Sequence, residues 1–371
     1  MMKKYNTDPW DLCAGFMRDL LCADCPTTKR DTIIKPSEDS LSDSKKWLFQ
    51  AKGFVQADYM FNTQEIGSKD GFLSSTIAMP QNNAKDSYFS IRQSQLGVEV
   101  KRPDQKFSAY IEIDLFGQNG TTAPRLRKAY VTYDKWLFGQ DWSPNAPMAL
   151  RQMQLRYTTT LAKKSQLSLS LEDPNVSSVT LPDNSLKWKK KALIPNFTVA
   201  YRYGGDRNYV RMAGLLSPIT YEMKYNIEDP YASKTILGGG VNLSGVLYVT
   251  KLNSLKLQAS YGTGISTYNG ALNEEGYDAV FDVFRDNRLR TLPFFSTSAA
   301  YEHWWNAKWS SVVFYSFVHI GGSEFIPDGM IDNFQNVGAN IIYQPFRKFR
   351  IEAFRCQLST ALILTIKKGY L

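Results

Sequence analysis

At 371 residues the chain is long enough for two soluble domains or one large all-β domain. It contains no run of roughly eighteen uncharged apolar residues, which excludes a helical membrane span, and only two histidines, His303 and His319, which leaves little scope for histidine-based catalysis or a multi-histidine metal centre. The net charge of +9 rests on basic residues scattered singly along the chain, not in a tail or on one helix face, and this argues against nucleic acid as a partner.

Residues 1–46 differ in character from the rest of the chain. Met1-Met2-Lys3-Lys4 could open a secretory signal, but Asn6 to Pro9 break any apolar core and Arg18-Asp19 interrupt the next candidate, so an intact signal peptide is not expected. Residues 27–46 are rich in Ser, Asp and Lys and read as a disordered lead-in. Cys22 and Cys25 form a lone CxxC with no second pair and no histidine nearby, so neither a zinc site nor a disulfide framework is expected. No metal, nucleotide or redox cofactor motif occurs elsewhere.

From residue 47 the pattern changes to a period of two, the mark of a strand with two different faces. Phe49, Ala51, Val55, Ala57, Tyr59 and Phe61 share one face, and Gln50, Lys52, Gln56 and Asp58 the other. Between Lys106 and Gly117, Phe107, Ala109, Ile111, Ile113 and Leu115 point one way, and Ser108, Tyr110, Glu112 and Asp114 the other. Polar faces that carry arginines in mid-strand suggest a wet, charged interior and an oily exterior. The second strand shifts parity between Ser94 and Gln95, which a bulge near Gln95 would reconcile.

Strands are expected at 47–61, 87–101, 105–117, 124–133, 135–141, 151–161, 165–172, 193–203, 207–225, 236–250, 254–262, 294–302, 308–319, 331–343 and 347–354. Short connections alternate with long ones, the latter at 62–86, 118–124, 142–150, 173–192, 226–235, 263–293 and 320–330. A soluble sandwich has no reason to keep its long connections on one side, whereas outer-membrane barrels pair short periplasmic turns with long extracellular loops. Aromatic residues at 13% suit the interfacial girdles of such barrels. The expected fold is therefore all-β: a transmembrane antiparallel β-barrel of about sixteen strands, spanning residues 47–354, in the bacterial outer membrane. Fifteen strands is an odd number, and in RCQLSTALILTIKKGYL, after Phe354, the nearly all apolar or small stretch Leu358 to Ile366 leaves no room for an extracellular loop before it. Residues 355–371 are accordingly expected to be an altered or truncated end, with the closing strand missing, or else an imperfect closure through Leu358 to Ile366.

Chemistry then rests on the inward charges. By alternation Lys52, Arg92, Arg125, Arg127, Arg156, Arg202 and Arg211 face the lumen, opposed by fewer acids such as Asp58, Glu112 and Asp114. Cations in a narrow pore with low-dielectric walls concentrate anions, and arginine presents a rigid fork matched to carboxylate or phosphate. The bland alternative is that each arginine pairs with an acid and only holds the wall together. A barrel enzyme of the lipase or protease type would need His303 or His319 as a base; a closed barrel for adhesion is a third reading.

The succession FSIRQSQLGVEV, IDLFG, PRLRKAYV and LFGQDWS, in that order, resembles the DcaP-like family of trimeric outer-membrane porins, as does STIAMP at Ser75 to Pro80. The likeness covers roughly residues 47–354 and is strongest from 74 to 160; Lys128 stands where that family often has histidine. The resemblance implies a sixteen-stranded barrel, a homotrimer in outer-membrane lipid, and passage of small organic anions such as dicarboxylates. Carried onto matching positions, it places Arg92, Arg125 and Arg127 at the constriction, with Gln140, Trp142 and Ser143 leading into a loop that folds inward.

Overall fold

The computed structural model describes residues 46–62, 85–117, 120–145, 150–174, 178–182, 186–270, 272, 275–282, 288–321, 331–346 and 349–363. The expected lead-in with Cys13, Cys22 and Cys25, the STIAMP segment and residues 364–371 lie outside them.

In chain order the strands are β1 (Leu48–Phe54), β2 (Asp58–Asn62), β3 (Asp86–Ser90), β4 (Gln95–Arg102), β5 (Phe107–Asp114), β6 (Arg125–Tyr133) and β7 (Trp136–Trp142). Next come β8 (Arg151–Ala162), β9 (Ser165–Glu172), β10 (Trp188–Lys191), β11 (Asn196–Gly204), β12 (Tyr209–Met223), β13 (Ala232–Tyr248) and β14 (Ser254–Thr263). The last are β15 (Ala279–Asp282), β16 (Arg288–Thr291), β17 (Pro293–Trp304), β18 (Trp309–Ile320), β19 (Ile331–Phe346) and β20 (Phe349–Ile363). Among the described residues, one sheet of sixteen strands runs β1-β4-β5-β6-β7-β8-β9-β11-β12-β13-β14-β17-β18-β19-β20, with β10 paired to the end of β12. Every ladder in it is antiparallel, and strands that succeed one another along the path are also neighbours in space, so the wall is an up-and-down barrel.

Alternation decides which face looks out. On β12, Arg211, Ala213, Leu215, Ser217, Ile219 and Tyr221 are buried, while Val210, Met212 and Leu216 are exposed. Phe49, Leu96, Leu237, Val241 and Leu243 likewise stand exposed on the outer face. Leaving such side chains in water forgoes about 1.5–3 kcal/mol each, and a continuous apolar band of this extent marks contact with membrane or protein. The outside is oily and the inside polar, as the sequence pattern requires.

The end of the barrel with short turns carries the aromatic pairs expected of an interfacial girdle. Trp47 meets Phe107 at 5.8 Å between ring centroids, Trp136 meets Tyr157 at 5.0 Å, and Trp309 stacks on Tyr343 at 4.6 Å. His303 belongs to this belt, edge-on to Trp305 at 4.4 Å.

Three expectations change. The first expected strand divides into β1 and β2, and the second into β3 and β4; β2 and β3 form their own ribbon. At the break Ser94 Oγ accepts from the Gln56 amide at 3.0 Å and donates to the Gln56 carbonyl at 3.2 Å, so a side chain replaces the ladder. The parity shift arises from a turn closed by Ser94 N donating to Ile91 O at 3.0 Å, not from a bulge at Gln95. Finally, the strand expected to stop at 354 continues as β20, paired with β19 as far as Ile331↔Ile363, so residues 355–363 belong to the wall.

Candidate functional site

The charged residues concentrate on one arc of the inner face, carried by β1 and β4 to β8. Lys52 Nζ lies 2.7 Å from Glu99 and Lys101 Nζ 2.8 Å from the same carboxylate. Arg125 grips Asp114 with two bonds, Nε at 3.0 Å and Nη2 at 2.7 Å. Arg127 spans two acids, donating to Glu112 at 3.0 Å and to Asp114 at 2.8 Å. Arg156 lies 2.9 Å and Lys128 3.9 Å from Asp141. Glu99, Asp114 and Asp141 thus face two cations apiece, and Glu112 is shared between Arg127 and the Tyr110 hydroxyl, which donates to it at 2.6 Å. Pairing therefore accounts for all four acids and still leaves the arc with an excess of cations.

A β-bulge creates part of that excess. The β5–β6 register steps from Glu112↔Lys128 to Ile113↔Leu126, so Arg127 is the extra residue. Two consecutive cations, Arg127 and Lys128, therefore both turn inward, while Leu126 remains exposed outside. Strict alternation assigns Lys128 to the lipid face and misses it. The sequence signal is the change of polar parity from Arg125 and Arg127 to Lys128, Tyr130 and Thr132.

Other expected residues are placed differently. Arg92 is held in the turn before β4, not in a strand; it donates to the carbonyls of Leu115 at 3.3 Å and Gly117 at 3.0 Å. It shares the Phe116 ring with Arg125, at 4.9 and 5.0 Å, and so remains beside the arc. Arg202 stands apart at the short-turn end, donating to Gly205 O at 2.8 Å and lying 4.2 Å over Tyr209. Gln140 belongs to the strand face opposite Asp141, where its amide donates to the Arg127 carbonyl at 2.9 Å and supports the bulge. Its side chain braces the wall.

Trp142 and Ser143 do open an inward segment. Trp142 is buried under Arg151, 4.9 Å from its ring, with Lys128 at 5.8 Å. Arg211 on β12 donates to the Pro144 carbonyl, so the start of the segment after β7 is held from across the interior by a strand four places along the wall. A second inward segment lies after β14, where the sequence pattern predicts only an outer loop. Its Tyr268 hydroxyl donates to Glu172 at 3.0 Å and accepts from Gln152 at 3.1 Å and Asn196 at 3.0 Å. Ser143 Oγ joins the same carboxylate at 2.8 Å. Leu150, Ile265, Tyr268, Leu272, Val280 and Leu292 pack with wall residues such as Leu215, Phe294 and Phe314 into one buried cluster. Within this second segment Asp278 accepts from Ser266 at 2.7 Å and from the Thr267 amide at 2.9 Å, and burial pushes its carboxyl up to about 6.

Opposite the arc, the buried face of β13 to β19 carries Asn242, Ser260, Ser296, Ser298, Ser316, Asn336 and Asn340, with the buried Lys256 among them. The interior thus has a cationic side and a largely neutral one.

No family model and no curated protein matches the chain. Among solved structures, the outer membrane channel DcaP of Acinetobacter baumannii is similar with a TM-score of 0.69 at 19% identity, over 84% of this chain and 90% of that one. A loop L8 deletion mutant of OmpT, an outer membrane protein of Vibrio cholerae, gives 0.50 at 11% identity, over 85% and 95%. The likeness fixes the fold: the wall is built as in outer-membrane channels.

Proposed function

We propose that the chain forms a water-filled channel in the bacterial outer membrane for small organic anions of the dicarboxylate type, and works as a homotrimer. The carrying observation is the cation excess of the β1 and β4–β8 arc: each carboxylate there is already held, and the remaining positive charge faces inward. The exposed apolar band supports outer-membrane lipid as the surrounding partner. The fold shared with the DcaP channel supports conduction as the activity. Arg125, Arg127, Lys128, Arg156 and Lys52 are the residues assigned to anion attraction; Arg92 contributes from its turn.

The reading is tested by reversal potentials across a planar bilayer under a salt gradient. Anion selectivity is expected, weakened in the Arg125→Ala/Arg127→Ala variant, which exposes Asp114 and Glu112. Cation selectivity that the double substitution leaves unchanged would defeat it.

A further inference from the structure

The outer face carries a second concentration of positive charge that the channel does not use. β10, with the sequence Trp188-Lys189-Lys190-Lys191, pairs in register with Met223 back to Thr220 on β12, on the long-loop side of the wall. Trp188 is buried, stacked 5.6 Å from Tyr221 and edge-on to Phe281 at 5.2 Å. Alternation then turns Lys189 and Lys191 to the opposite, outer face, the side on which Glu222 lies. The β12–β13 turn adds Lys224 to the same place.

Two ammonium groups converge there on one ring: Lys189 Nζ is 4.1 Å and Lys224 Nζ 4.6 Å from the centroid of Tyr231. Lys224 Nζ also donates to the Ile227 carbonyl at 2.9 Å, and an anionic group reaching both ammonium groups would gain charge-assisted hydrogen bonds from each. The acids close by are few. Glu222 takes Lys191 at 2.6 Å, Asp229 is engaged by the amide of Asn226 at 2.8 Å, and Glu228 stands in the exposed turn. Directly below the lysines the outer face becomes apolar: Leu237 lies opposite Pro218, two residues down β12 from the Thr220↔Lys191 pair, and Leu216 comes next. Two strand residues are roughly 7 Å. Leu193, Ile194 and Ile227, also exposed, flank the patch.

A cationic cluster seated one step above a lipid-facing apolar wall is complementary to one kind of partner, an amphiphile with an anionic head and acyl tails. Short turns lie on the periplasmic side and long loops outside, so the leaflet in question is the outer one. We propose that Lys189, Lys191 and Lys224 form a docking site for the phosphorylated head group of an outer-leaflet lipid, whose chains lie along Leu216 and Leu237. The proposal rests on the membrane reading but not on conduction.

The test counts lipids bound to the intact protein in detergent by native mass spectrometry, with diphosphoryl lipid A as probe. The Lys189→Gln/Lys191→Gln/Lys224→Gln variant is expected to bind it about a hundredfold more weakly, roughly fivefold per lysine, while the corresponding triple arginine variant retains binding. Lys106→Gln/Lys135→Gln, at the short-turn end, is expected to leave binding unchanged. Undiminished binding in the triple glutamine variant overturns the proposal, as does equal weakening in the Lys106/Lys135 control, which would mean diffuse attraction to net charge. Displacement by equimolar inorganic phosphate would overturn it in favour of a site for a free anion. A change in subunit number with lipid count unaltered would overturn it in favour of a contact between copies of the chain. None of these results touches the selectivity measurement, so failure here and failure of the channel reading are distinguishable.

Discussion

Asp114→Asn separates the two roles that the inner arc combines. The Asp114 side chain is fully buried and is held by Arg125, 46% exposed, and Arg127, 7% exposed. Removing one partner of a buried ion pair costs about 3–5 kcal/mol, because it leaves a charge desolvated and unanswered. Arg127 keeps Glu112 at 3.0 Å, and Arg125 can swing its guanidinium towards water, so the lower end applies, ~3 kcal/mol. The same substitution removes one negative charge and frees a donor fork, so selectivity must move towards anions as stability falls. Denaturant unfolding in detergent micelles, monitored by tryptophan fluorescence, reads the first effect, and bilayer reversal potential reads the second. A variant within about 1 kcal/mol of the parent and equally selective would refute the argument that these pairs both brace the wall and set its charge.

Other substitutions address the inward segments and the wall. Tyr268→Phe removes a buried hydroxyl shared by Glu172, Gln152 and Asn196, so docking of the segment after β14 should weaken by about 1–3 kcal/mol and its amides should exchange faster with deuterium. Asp278 has a carboxyl raised to about 6 by burial, so the docked segment holds a proton that the undocked one releases. Docking is therefore strongest below the ordinary carboxylate pKa and weakens by roughly 2–3 kcal/mol as pH rises from about 4 to about 6. Limited proteolysis across that range should show the dependence, and Asp278→Asn should abolish it. Gly139 has φ +131° and its absent Cβ would collide with the Ala129 carbonyl, so Gly139→Ala should destabilise the barrel by ~2–4 kcal/mol in the same unfolding assay.

The wall was legible in the sequence because a period of two is a local property. Ile111 out and Asp114 in are consequences of alternation alone, and the fifteen expected strands match the fifteen of the barrel path in order. Departures occur where a partner strand decides. The bulge at Arg127 is defined by what lies opposite it on β5, and the bond from Gln140 to the Arg127 carbonyl that supports it joins two strands no local pattern connects. The inward segment after β14 is hidden for another reason. Tyr268 is placed by residues about seventy to over a hundred positions away, and nothing periodic surrounds it. β10 is four residues long, too short for alternation to separate it from a loop.

The division of the interior also sets how a solute would travel. With most of the inward cations gathered on β1 and β4–β8 and mainly serines and asparagines, with Lys256, facing them, the electric field inside points across the barrel as well as along it. In the proposed channel, a dianion with both carboxylates on one edge could align with that field and slide with its carbon skeleton towards the less charged side. One whose charges lie at opposite ends must tumble or forgo one of its contacts. A channel of the proposed function would thus sort shape and charge together, by the angle at which a molecule presents itself.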